Sequence, residues 1–208
     1  YPLRRQRQMC IRDRSLTDFT LDPVGWRPYV QPVSLDAATD AQKDALKITP
    51  SNRKISDYVL VLAHDPEMLA ERTPLFNDIM YAPGGLSRGE RELGSLAASV
   101  LNHCIYCAYV HATRYIGETG KREVVDAIYA DKDKAALPAR EQAILDYSVK
   151  LTRTPHELSE ADTQSLRDVG LSELEILDLI HAVAIFGWAN RLMHTLGEAI
   201  EGLSLIHI

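Results

Sequence analysis

Residues 87–111 read SRGERELGSLAASVLNHCIYCAYVH. Ser87 and Glu90 stand at the spacing of a capping box, in which the hydroxyl accepts from the third backbone N–H and the glutamate reaches back to the cap. Leu93, Leu96, Val100 and Cys104 follow at i, i+3, i+7 and i+11, a helical apolar stripe. Cys107 lies three residues after Cys104, and His111 four after Cys107. Neighbours at three and four residues share a helix face, so Cys107 can touch both Cys104 and His111.

That grouping carries a chemistry. A thiol at its ordinary pKa is only roughly 3% thiolate at pH 7, and the thiolate is the nucleophile. Lowering the pKa by two units means stabilising the anion by roughly 2.7 kcal/mol. A histidine one turn away can act as base or charge partner, and a helix N-terminus adds up to ~2 kcal/mol. The second thiol of a Cys-x-x-Cys pair can close on a sulfenic acid to give a disulfide. Glu92 stands twelve positions before Cys104, about 18 Å away along one straight helix. No proton relay spans that gap. For Glu92 to take part, the helix must break between them, and Asn102-His103 is the place, because Asn tolerates the left-handed region and caps well. A break there puts both cysteines in the first turns of a new helix, where the dipole favours a thiolate.

Outward from this segment the chain reads as helical. Residues 15–35 hold three prolines and no helical period, and read as an extended arm that could lie across a partner subunit. Asp36–Leu46 reads as a polar helix. Residues 55–81 place apolars at helical spacing across two helices, with Pro66 and Pro74 near their starts. APGG at 82–85 is a breaker. After Gly117 come helices at Thr119–Ala130, Pro138–Thr152 and Ser159–Val169, the last stopped by Gly170. Ser172 and Glu175 form a second capping box, opening a long apolar helix through Leu196 that Gly197 ends. No alternating strand pattern with hairpin turns is present. The expected class is all-α, with at least seven helices, Glu92 on one helix and the cysteine pair at the start of the next.

Composition narrows the function. The 208 residues are 46% hydrophobic and 25% charged, with a net charge of −6 and a pI of about 5.6. No basic face argues for nucleic acid. The most apolar stretch, Ile176–Ala189, is interrupted by Asp178 and His181 and is shorter than the ~18–20 residues of a membrane span, so no membrane partner is expected. Three cysteines argue against a secreted disulfide framework and for the cytoplasm. The Arg-rich stretch 4–14, with Cys10, and the apolar tail 204–208 look foreign to the fold. Residues 1–17 and 203–208 are therefore set aside as non-native or disordered tails. A transit peptide is the rival reading of the N-terminus. One domain is expected over 18–202, with the arm at 18–35 and helices over 36–202.

The pattern Glu92-x11-Cys104-x2-Cys107-x3-His111 resembles the signature of alkylhydroperoxidase D and its relatives, the thiol-peroxidase branch of the carboxymuconolactone decarboxylase-like family. LRDVGLSELEILDLIHAVAIFGWANRLMHTLG, residues 166–197, resembles the C-terminal part of the longer peroxidase-related subgroup. The likeness runs from about 18 to 202. It implies an all-helical bundle that forms homo-oligomers (dimer, trimer or hexamer) and an antioxidant peroxidase that reduces alkyl hydroperoxides or hydrogen peroxide. No cofactor or metal is implied. In the family scheme one cysteine becomes a sulfenic acid, the other closes a redox-active disulfide, and Glu92 and His111 relay the proton. A dithiol partner, lipoyl or thioredoxin-like, then resets the pair. Cys107 is assigned the attack because it lies closest to His111, with Cys104 resolving. The reverse order stays open, since Cys104 would sit nearer the helix start.

Duller and rival readings stand beside these. Free cysteine is often simply buried, and Glu92 can be a first-turn acid favoured by the dipole. Two cysteines and a histidine are three potential zinc ligands, with Glu92 or His103 a fourth, but structural zinc usually draws on two separated knuckles. A thioredoxin-like motif would lie near a βαβ pattern, which is absent. His103 reads as a polar residue at the break, His181 and His194 as satisfied or exposed histidines, and Asn190-Arg191 as a polar clamp or plain surface. Other functions to weigh are a redox-responsive oligomeric binding module without turnover and the lyase chemistry of cysteine-free relatives.

Overall fold

Both expected capping boxes form. The Ser87 hydroxyl accepts from the Glu90 N–H and the Ser172 hydroxyl from the Glu175 N–H, and each glutamate reaches back to its cap. They open two helices that pack against each other at the centre of the molecule. The structure, a computed structural model, describes residues 15–47 and 55–202. The stretch 4–14 with Cys10 and the tail 204–208 lie outside the described residues.

In chain order the elements are β1 (Val24–Pro28), α1 (Asp40–Leu46), α2 (Asp57–Leu62), α3 (Pro66–Tyr81), α4 (Arg88–Leu101), α5 (Ile105–Thr119), α6 (Arg122–Asp131), α7 (Ala139–Arg153), α8 (Glu160–Asp168), α9 (Glu173–Leu196) and β2 (Gly197–Glu201). Short 3₁₀ turns follow α6 and α7 at Lys132–Lys134 and Pro155–Glu157. The class is all-α, with one small two-stranded sheet.

The main core is built on α4. Leu93, Leu96, Ala97 and Ala98 are buried against Ile144 and Leu145 of α7 and Leu179, Ala182 and Val183 of α9. Close approach needs a residue without a side chain. A Cβ on Gly94 would stand 2.7 Å from Leu179 Cδ1 and 3.1 Å from Val183 Cγ2. By length and apolarity α9 could cross a membrane, but half of its most apolar window is buried inside the fold. Charges tie the helix starts together. Arg140 of α7 bonds Glu90 at 2.5 Å and reaches Glu175 at 3.5 Å, so one guanidinium joins both capping boxes. Arg91, buried, donates to the carbonyls of Ile79, Ala82 and Gly84 and to Asp178. This pins the APGG breaker against α9. Gly85 there has φ +63°, and a Cβ on it would collide with the Asp178 carboxylate.

Several expectations need correction. The arm does not reach away from its own chain: residues 24–28 pair antiparallel with 197–201, Trp26 opposite Ala199. Its backbone groups are satisfied there, and Trp26 Nε1 donates to the Met193 carbonyl at 3.3 Å. The first helix starts at Asp40, not Asp36, because Thr39 and Gln42 make a capping box. Pro74 lies inside α3 rather than near a helix start. It is exposed, so water can serve the carbonyl it leaves unpaired. α5 runs through Gly117 and ends at Gly120, whose φ of +72° is the left-handed stop. The next helix accordingly begins at Arg122.

Candidate active site

The helix breaks where the spacing required. α4 ends at Leu101 and α5 begins at Ile105. The His103 N–H donates to Val100 O at 3.1 Å and the Cys104 N–H to Ser99 O at 2.8 Å. That is the two-bond Schellman stop. Its left-handed position, usually glycine, is His103, with φ +56°. Asn102, expected to take the left-handed conformation, has φ −80° and is the C-cap. Cys104 is both the residue closing this motif and the N-cap of α5, with the Ala108 N–H donating to its carbonyl at 2.8 Å. The break therefore takes Cys104 out of the Leu93/Leu96/Val100 stripe and turns it to the second core cluster, with Cys107, Tyr58, Leu69 and Met193.

The elbow folds Glu92 back beside α5. Glu92 is fully buried and His111 nearly so, and Glu92 Oε2 lies 2.5 Å from His111 Nδ1. The other carboxylate oxygen accepts from Arg88 Nε at 2.8 Å and has Arg114 Nη1 at 3.9 Å. Arg88 in turn lies over the Tyr81 ring at 4.0 Å. Burial pushes the Glu92 carboxyl up, but the His111 imidazole and the two guanidiniums outweigh it and hold the pKa below the usual value. Burial pushes His111 down, and Arg114 and Arg88 push the same way against the pull of Glu92. Near neutral pH the pair is thus a carboxylate and a neutral imidazole whose Nδ1–H faces Glu92. Nε2 is left as the free basic nitrogen. The His111 ring also meets Phe186 edge-on at 4.0 Å.

The two sulfurs are 2.7 Å apart, both cysteines being free and buried. Their acidities diverge. The hydrogen bond shared with Cys107 lowers the Cys104 pKa against the effect of burial, helped by the Cys107 backbone and the Asn190 side chain. Burial raises the Cys107 thiol well above its ordinary value, and the Cys104 charge adds to this. Of the two thiols, Cys104 is therefore the more acidic and the first to give up its proton. Cys104 lines a cavity of about 250 Å³ together with Trp26, His103, Tyr106, Met193 and His194.

Asn190 is the residue whose weight the sequence did not reveal. Fully buried on α9, it accepts from Asn102 Nδ2 at 3.1 Å and donates to Ser99 Oγ at 3.3 Å, and its amide pulls the pKa values of both thiols down. His194 Nε2 donates to the Asn102 carbonyl at 2.9 Å, so α9 fastens the elbow twice. Arg191 turns instead to the Gly187 carbonyl on its own helix. His181 is exposed. Among the described residues no group of three or more His, Cys, Asp and Glu is arranged to hold a metal ion.

The site is a dithiol elbow backed by a carboxylate–imidazole pair in an all-helical core. Residues 66–147 match the carboxymuconolactone decarboxylase family. Two solved structures are similar over most of their length. One is an alkylhydroperoxidase AhpD core, an uncharacterized peroxidase-related protein from Ralstonia eutropha JMP134, 29% identical with a TM-score of 0.70, covering 81% of this chain and 90% of that one. The other is an uncharacterized peroxidase-related protein from Silicibacter sp. TM1040, 27% identical with a TM-score of 0.66, covering 79% and 90%. The fold is shared with the debrominase Bmp8, 18% identical with a TM-score of 0.66 over 81% and 90%. None of the curated proteins matches. The family match covers residues 66–147, and over most of its length the chain is similar in fold to these AhpD-core and peroxidase-related structures.

Proposed function

We propose that this protein is a thiol-dependent peroxidase that reduces alkyl hydroperoxides or hydrogen peroxide. The observation that carries this reading is the pair of sulfurs 2.7 Å apart, the more acidic of which lines a cavity. The family likeness supports a peroxidase-related role for the whole domain.

In this reading Cys104, not Cys107, attacks. Its thiolate displaces the O–O bond at the near oxygen, the sulfur loses two electrons, and the leaving alkoxide takes a proton to give the alcohol. Cys104 is then a sulfenic acid. His111 lies four residues after Cys107, on the same face of α5, and its neutral imidazole takes the Cys107 proton while Glu92 steadies the resulting imidazolium. The Cys107 thiolate attacks the Cys104 sulfur and expels hydroxide. The proton on His111 converts this to water, leaving a disulfide. A dithiol of lipoyl or thioredoxin-like chemistry reduces the bridge and closes the cycle. We place the enzyme in the cytoplasm, where thiols stay reduced, and as a homo-oligomer.

The test is stoichiometric. Reduced protein mixed with one equivalent of tert-butyl hydroperoxide is expected to consume the peroxide and two thiols together. Cys107→Ser is expected to stop at a sulfenic acid trappable on Cys104, and Cys104→Ser to consume no peroxide. An unchanged thiol titre in the wild-type protein overturns the reading.

A further inference from the structure

Among the described residues, one cation of the core has no counter-charge. Arg72, on α3, is 8% exposed, and its Nε and Nη1 have no hydrogen-bond partner among them. Its guanidinium carbon stands 4.4 Å from the centre of the Phe76 ring, which covers one face and supplies no acceptor. Tyr58, on α2, is 9% exposed, and its hydroxyl is also unpartnered. The two lie within electrostatic reach of each other, and Tyr58 within reach of both thiols. Burial raises the phenol pKa to about 12, so it stays a donor. An unpaired charge in the interior is costly, and buried polar groups are rarely left without partners. A buried guanidinium with unused donors calls for an anion.

The surroundings say what carries the anion. Arg72 lines a groove of about 640 Å³ whose walls are otherwise mainly apolar: Met68, Leu75, Ile79, Ile185 and Trp188. Three of these are large apolar side chains left open to solvent, Met68 and Leu75 at more than half their area and Trp188 at 40%. The other titratable groups of the groove, Glu71 and His181, are exposed and leave Arg72 as its buried charge. We propose that Arg72 forms the head-group subsite of a binding site for an amphipathic carboxylate, whose apolar body lies along the groove between α3 and α9. A hydrocarbon chain fits such walls, and a carboxylate fits the planar fork of a guanidinium.

Titration calorimetry on the full chain with decanoate, decanol and decylammonium tests this without reference to turnover. Failure of the peroxidase reading therefore leaves the result intact. Decanoate is expected to bind at least tenfold more tightly than decanol, and decylammonium not at all. Arg72→Met should abolish the preference for decanoate over decanol, and Arg72→Lys should keep part of it. Arg72→Met also removes an unpaired buried charge, so its melting temperature without ligand should rise; should that variant not fold, Arg72→Lys decides. Equal binding of decanoate and decanol overturns the proposal. So does failure of decanoate to bind, with light scattering showing that Arg72→Met splits an oligomer, since a second copy then supplies the anion.

Discussion

His111 Nδ1 and Glu92 Oε2 lie 2.5 Å apart, although nineteen residues and a helix break separate them in the chain. Both side chains are almost wholly buried, and the pair is worth more through its charge state than through its contact area. His111 is held neutral and Glu92 ionised, and these states set how the protein answers to acid.

The first prediction concerns pH. The His111 pKa is lowered from 6.5, so below that value the unfolded chain takes a proton that the native state refuses. Glu92 is lowered from 4.5, so its contribution is present above that value and lost as pH falls through the folded one. In both ranges the unfolded state binds more protons, and stability falls with acidification. Urea midpoints are expected to drop steadily from pH 7 to pH 4. A flat profile down to pH 5 contradicts a neutral His111.

Glu92→Gln removes the one carboxylate shared by His111, Arg88 and Arg114. Breaking a buried pair by deleting one partner costs about 3 kcal/mol, and the partial exposure of Arg88 and Arg114 places the effect at or below that figure. Chemical denaturation measures the cost. In the same variant the step from sulfenic acid to disulfide should slow at least tenfold, read by stopped-flow loss of the second thiol.

Asn190→Leu keeps the bulk of the side chain and removes its donors and acceptor. A hydrogen bond to a charged group is worth about 1.5–3 kcal/mol, so the pH midpoint for alkylation of Cys104 should rise by about one to two units. The Ser99 and Asn102 bonds go with it, and the melting temperature should fall. An unmoved midpoint removes Asn190 from the electrostatics of the sulfur pair.

At His103 the balance is close. A left-handed backbone costs a non-glycine residue about 1–2 kcal/mol, but glycine adds unfolded-state entropy worth about 0.4–1 kcal/mol, and the edge contact of Phe19 on the His103 ring, 5.2 Å between centres, is lost as well. His103→Gly is therefore expected to be near neutral, whereas the β-branched His103→Val should cost about 1 kcal/mol or more. Thermal unfolding of both variants separates backbone strain from side-chain contact.

What was legible in the sequence was local. The capping boxes at Ser87 and Ser172 announce themselves within four residues, and the Glu92, Cys104, Cys107 and His111 spacing demanded a break that Asn102-His103 supplies. What stayed hidden depends on the folded chain. Residues 24–28 and 197–201 carry no alternation, and they become strands only because each presents the other with hydrogen-bond partners. Gly117 and Gly120 look alike as stop signals, and only Gly120 takes the left-handed conformation. Asn190 stands 88 residues from Asn102, so nothing in the local pattern ties it to the sulfurs. For the order of the two cysteines the sequence offers proximity to His111, which points to Cys107, whereas the folded chain adds burial, which raises the Cys107 thiol and is the ground for proposing Cys104.

Gly94 has a wider consequence. Its missing side chain lets α4 and α9 approach, and that approach brings Asn190 within reach of Ser99. Gly94→Ala should cost about 1–3 kcal/mol by overpacking, measurable by urea unfolding, and it should lengthen every bond Asn190 makes. A lineage could thus retune the reactivity of its dithiol by adding a single methyl group at a helix crossing, with both sulfurs, the imidazole and the carboxylate left as they are.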